Sequence, residues 1–168
     1  LQSAGSNYFG LTASIDNVSV KQVNGNPAIM TNMTASDIEN GSPYANLVQN
    51  GTFDTDSDWT FSDSNSTSIA NGTLNVNGTQ SGTVWAYQSG VTSGKQYKFV
   101  YTVTSLTSGE VRAGLSGVNG TWRNSTGTYT EYLTPTSGTI YLYFNSDFVG
   151  SIDNVTVTEV NTGLQGYW

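Results

Sequence analysis

Much of the chain alternates apolar and polar residues with period two. Tyr97, Phe99, Tyr101 and Val103 share one face of a strand, and Lys98, Val100, Thr102 and Thr104 share the other. Ile140, Leu142 and Phe144 oppose Tyr141 and Tyr143 in the same way. Shorter alternations run through Trp59 and Phe61 and through Leu74 and Val76. Val84-Trp85-Ala86-Tyr87 is a mixed run. Ile152, Val155 and Val157 fit one face only if the strand bulges near Asn154. Turns such as Ser81-Gly82, Ser93-Gly94, Ser108-Gly109, Asn119-Gly120 and Ser137-Gly138 separate the runs. Short strands divided by such turns predict an all-β sandwich. No convincing amphipathic helix interrupts them.

A long-period repeat divides the chain. Ser14-Ile15-Asp16-Asn17-Val18-Ser19-Val20-Lys21-Gln22-Val23 returns as Ser151-Ile152-Asp153-Asn154-Val155-Thr156-Val157-Thr158-Glu159-Val160, with seven of ten positions identical. The offset of 137 is the size of a domain and exceeds any solenoid repeat. Residues 1–23 therefore read as the closing strands of a preceding module. Residues 24–43 read as a linker, bounded by Asn24-Gly25-Asn26-Pro27 and Asn40-Gly41-Ser42-Pro43, with room for one helical turn at Ala35–Glu39. Residues 44–160 make one complete module, and 161–168 lead out of it. Leu1 is not an initiator Met and shows no secretory signal, so the numbering is expected to begin inside a longer chain.

Composition narrows the function. Thr, Ser, Gly and Asn supply 81 of 168 residues, and only 10% are charged. A disordered chain would be poor in aromatics, but this one has ten Tyr, six Phe and four Trp. There is no His and no Cys. Imidazole bases, thiolate nucleophiles, disulfides and cysteine zinc sites are excluded. A net charge of −7 argues against nucleic acid as a partner. No apolar run approaches the ~20 residues of a membrane span. Ten Asn-X-Ser/Thr triplets follow from the Asn, Ser and Thr content and carry no message of their own.

Three segments of 44–160 carry a resemblance. Leu47-Val48-Gln49-Asn50-Gly51-Thr52-Phe53-Asp54 followed by Trp59 resembles the first strand of carbohydrate-binding modules of families four and nine. Val84-Trp85-Ala86-Tyr87-Gln88 through Gly94-Lys95-Gln96-Tyr97-Lys98-Phe99 resembles their central strands, and Ile152-Asp153-Asn154-Val155-Thr156-Val157 their last. The resemblance implies a galactose-binding-like jelly-roll β-sandwich, here in tandem modules. Fold alone does not fix function, because this sandwich is widely reused. Pro27-Ala28-Ile29-Met30-Thr31-Asn32-Met33 together with 46–54 is similar to structural proteins of tailed-bacteriophage virions. Gly163-Leu164-Gln165-Gly166-Tyr167-Trp168 resembles the opening strand of a lectin-like domain, with a terminal apolar clip as the plainer reading.

These resemblances set the candidate residues. Family modules often hold a structural Ca²⁺ between an acidic residue of the first strand and an Asp of the last; the matching positions are Asp54 and Asp153. The plainer reading is a hydrogen-bonded turn at each. Asp54-Thr55-Asp56-Ser57-Asp58 is not an EF-hand, since Trp59 stands where the loop needs Gly and Asn65 where it needs Glu. Trp85, Tyr87 and Gln88 match the central strand where sugar-binding residues often lie. Trp85 and Tyr87 share a face that could be core or groove, with core the first expectation. Trp122 lies in a polar loop and is expected to be exposed, facing either a sugar or a neighbouring subunit. Trp59, Tyr97 and Phe99 are expected in the core.

The expectation is a non-catalytic structural module of a virion protein, at the virion surface or otherwise extracellular. Its expected partners are copies of itself, other virion proteins and polysaccharide. The alternative is a carbohydrate-binding module of a secreted enzyme or adhesin. A glycosidase would need two carboxylates across a cleft, and no acidic pair stands out.

Overall fold

The computed structural model describes residues 45–160. The expectations placed on 1–23, on the linker and on the lead-out lie outside them. The described residues form ten strands and no helix. One antiparallel sheet contains β1 (Thr60–Phe61), β4 (Val84–Ser89), β9 (Thr139–Phe144), β6 (Val111–Leu115) and β7 (Val118–Asn119), in that spatial order. The other contains β2 (Thr67–Ala70), β3 (Thr73–Asn77), β10 (Val149–Glu159), β5 (Tyr97–Ser108) and β8 (Gly127–Leu133). From β3 onward the chain repeatedly crosses between sheets: β4 to β5 to β6, and β8 to β9 to β10. The expected all-β sandwich is the observed fold.

Alternation explains the core. Tyr97, Phe99, Tyr101 and Val103 of β5 are buried, as are Ile140, Leu142 and Phe144 of β9. Phe148 packs on Phe144 with ring centroids 4.9 Å apart. Trp59, Tyr97 and Phe99 are core residues, as expected. Tyr97 also uses its hydroxyl to accept a hydrogen bond from the Thr92 amide at 2.8 Å. The bulge in β10 is real. Register shifts between Asp153 and Thr156, Asn154 takes φ 53°, and Ile152, Val155 and Val157 all face inward.

Beyond the bulge, β10 gains a new neighbour. Residues 149–152 pair with β3, but Leu47 donates to the Val157 carbonyl and Val155 to the Gly51 carbonyl, each at 2.8 Å. The Asn46 side-chain oxygen accepts from the Val157 amide at 2.9 Å. The two ends of the described residues thus meet through backbone hydrogen bonds. Gly51 is required here by close approach, since a Cβ would collide with the Val155 carbonyl oxygen.

Candidate functional site

The outer face of the first sheet carries a platform of rings. In β4, Val84, Ala86 and Gln88 point inward, so Trp85 and Tyr87 point out. Trp85 is 36% exposed and Tyr87 half-buried. This overturns the core expectation for both. The two faces of β4 compete, and the core takes the small Ala86 while the large rings pair across strands. Trp85 sits opposite Tyr143, and Tyr87 opposite Tyr141. Their ring centroids are 6.2 Å and 6.0 Å apart. Tyr141 and Tyr143 stack on each other at 5.1 Å with 17° between planes.

Register extends each pair into a row. One row runs Trp85, Tyr143, Arg112 over β4, β9 and β6. The other runs Thr60, Tyr87, Tyr141, Gly114, Asn119 over all five strands. Strands lie about 4.8 Å apart, so the rings of β4 and β9 together with Arg112 on β6 span about 10 Å. Gly114 makes room for them, because a Cβ there would stand 2.6 Å from the Tyr143 ring. Burial, and next the Tyr141 phenol, push the Tyr143 hydroxyl above its usual pKa. It therefore stays a neutral donor and acceptor through ordinary pH.

Trp122 closes the first row. The Arg112 guanidinium lies 4.3 Å from the Trp122 ring centre and 5.4 Å from that of Tyr143. Trp122 is half-buried, less open than its polar loop suggested. The loop is anchored where Arg123 and Val111 exchange backbone hydrogen bonds at 2.7 and 3.0 Å. Arg123 itself pairs with Glu131 at 2.7 Å, which raises its pKa, and lies 4.9 Å from the Tyr129 ring centre. Beneath them the Tyr101 phenol is pushed up by burial and then by Glu131.

Gln88 stands apart from the rings. It is 8% exposed, and its amide is occupied by the extended segment before β1, which the resemblance led one to expect as a strand but which forms none. Gln49 N donates to Gln88 Oε1 at 2.8 Å, and Gln88 Nε2 donates to Gln49 O at 3.1 Å. The side chain thus imitates a neighbouring backbone. Beside it a cavity of 420 Å³ opens next to Tyr87, with Asp58, Thr60, Ser89 and Thr139 on its walls.

Asp54 and Asp153 flank the Gly51–Val155 contact along the chain. Thr52 Oγ1 donates to Asp54 Oδ2 at 2.6 Å. Asp153 Oδ1 and Oδ2 accept from the Asn154 amide at 2.6 Å and its side-chain nitrogen at 3.1 Å. Two carboxylates suit a hard cation, but Ca²⁺ takes six to eight oxygens. No group of three or more acidic, His or Cys side chains gathers among the described residues, so carbonyls and water would complete any shell.

Sequence reasoning did not single out Tyr141, Tyr143 or Arg112 as site residues. The signal was there: two tyrosines on the face of β9 opposite Ile140, Leu142 and Phe144 must point away from the core.

No protein-family model matches the chain, and no curated protein sequence does. Among solved structures, "CBM4 structure and function" aligns over 67% of this chain and 99% of its own, with 18% identity and a TM-score of 0.45. The CBM22-1–GH10 modules of Clostridium thermocellum endo-1,4-beta-D-xylanase 10B, complexed with xylohexaose, align over 74% of this chain and 29% of theirs, with 13% identity and a TM-score of 0.44. "BiXyn10A CBM1 APO" aligns over 71% of this chain and 89% of its own, with 14% identity and a TM-score of 0.42.

Proposed function

We propose that residues 45–160 are a non-catalytic carbohydrate-binding module. The observation that carries this reading is the solvent-facing platform of Trp85, Tyr143, Tyr87 and Tyr141 across β4 and β9. Flat rings take the apolar faces of pyranoses, and neighbouring hydroxyls orient the sugar edges. Asp58 is the carboxylate beside Tyr87, and Glu131 is held by Arg123, so a hydrolytic pair has no support here. The test is retention of the full chain in gels carrying soluble polysaccharides: xylan, β-1,3-glucan and uronate polymers. Retardation by at least one is expected, and migration unchanged in all of them overturns the reading.

We place the module in a bacteriophage virion protein that touches glycans. Support comes from the wording of 27–33 and 46–54 and from the repeat of 14–23 at 151–160. Antibodies against the chain should decorate phage particles from the source culture in electron micrographs. Bare particles, with the antigen in another fraction, would assign the module to a secreted enzyme or adhesin.

We also assign a structural Ca²⁺ to Asp54 and Asp153, on the resemblance and their hard oxygen donors. Millimolar Ca²⁺ should raise the melting temperature over that in EDTA by several degrees, equivalent to about 2–3 kcal/mol at ~100-fold excess over Kd. Equal melting temperatures, with backbone hydrogen bonds alone closing the module, would reject the ion.

A further inference from the structure

We infer that Arg112 makes this platform selective for acidic polysaccharides, by pairing with the carboxylate of a uronic acid residue. The inference rests on the sugar-binding reading of the platform and names its ligand class.

The charges of the described residues single out Arg112. Lys95 pairs with Glu159 at 2.9 Å and Arg123 with Glu131 at 2.7 Å. Lys98 belongs to β5, in the other sheet. Arg112 has no carboxylate partner among the described residues. It occupies the third position of the Trp85–Tyr143–Arg112 row, so its guanidinium shares the surface on which a sugar would lie.

Its geometry is that of a group held ready. The guanidinium lies against two rings, those of Trp122 and Tyr143, which limit where it can move. Nε is buried and without a hydrogen-bond partner. The terminal nitrogens likewise donate to nothing among the described residues. A guanidinium never loses its proton at ordinary pH, and its planar end matches the two oxygens of a carboxylate. Desolvating it against two rings has a cost, and a sugar carboxylate would offset it.

The acidic residue nearest along the chain and the one beside the ring platform point to other duties. Glu110 lies two residues before Arg112 and lines a different cavity, shared with Asn124, Asn145 and Asp147. Asp58 stands by Tyr87, at the β1 side of the platform, whereas Arg112 lies on β6. A bound chain would therefore meet a carboxylate at one side and an unpaired cation at the other. The net charge of −7 disfavours polyanions over the surface at large, so selection depends on contact at Arg112.

The experiment compares each acidic polymer with its neutral twin. Polygalacturonate, alginate and hyaluronate are used beside their carboxyl-reduced forms, which keep the linkage and lose the charge. Affinity electrophoresis of the full chain should show at least one acidic polymer retarding it tenfold or more strongly than the reduced form. Arg112→Gln should abolish that preference, and Arg112→Lys, which keeps the charge without the planar fork, should retain part of it. Melting curves confirm that both variants fold. Equal retardation by acidic and reduced polymers, or a preference that survives in Arg112→Gln, overturns the inference and leaves the platform reading intact. Retardation by dextran sulfate but by no uronate polymer overturns the carboxylate assignment. Failure on every polymer, neutral ones included, overturns the platform reading and this inference with it.

Discussion

Trp85→Ala lowers retention of the full chain on its polysaccharide about tenfold, and Trp85→Ala with Tyr143→Ala abolishes it. The first figure follows from losing one ring–sugar contact worth about 1–1.5 kcal/mol. The second follows from the row itself, since the two rings are cross-strand neighbours 6.2 Å apart and tilted by 57°, so a sugar stacked on Trp85 meets Tyr143 beside it. Their effects will not simply add, because each ring also positions its neighbour. Trp85 is exposed, so its removal should change stability by less than about 1 kcal/mol. Affinity electrophoresis and a melting curve on the same samples separate lost binding from lost fold. Undiminished retention in the double variant would remove the platform from the binding site.

Phe53→Ala has the largest expected effect on stability. Phe53 is fully buried, with its ring centroid 5.6 Å from that of Trp59. Trp59 Nε1 donates to the Asn50 carbonyl at 3.1 Å, and the Phe53 amide shares that acceptor at 3.3 Å. Together with Val48, this ring ties the segment before β1 to the core. Truncation should cost about 3–5 kcal/mol in urea denaturation, a large part of the roughly 5–15 kcal/mol that a domain possesses. The backbone supplies a second check. Phe53 has φ 53°, a left-handed conformation that glycine adopts without strain. Phe53→Gly should therefore be no less stable than Phe53→Ala, the reverse of the usual order within a strand. A loss below about 1 kcal/mol for Phe53→Ala would mean that Val48 and the backbone hydrogen bonds hold this segment without the ring.

Within strands, legibility was high. The inward sets of β5 and β9 follow from period-two alternation, and the spacing of Ile152, Val155 and Val157 located the bulge at Asn154. β4 was harder. Val84, Ala86 and Gln88 form one set and Trp85 and Tyr87 the other, and apolar volume favours burying the second. Alternation says which residues travel together without saying which way they face. Gln88 shows the same limit, since the resemblance to the central strand of the family placed it with the sugar-binding residues. Nothing local shows that Gln49 lies 39 positions away with an unpaired backbone for it to satisfy.

The sequence by itself thus determined the strongly alternating strands, β3, β5, β9 and β10 among them, and the partition of each into two faces; it marked no strand at β2, β6, β7 or β8, where alternation is short or broken by small polar residues. Side-chain direction in an extended chain depends only on the residue's position within it. Tertiary structure decided which face of β4 met water and which residues stood side by side. Trp85 meets Tyr143, and Arg112 lies beside Tyr143, because β4, β9 and β6 pair in one register, and Trp122 reaches Arg112 because Arg123 bridges to Val111. Such neighbours are set by long-range hydrogen bonding and by competition for a single core. A sequence read by local period contains no term for either.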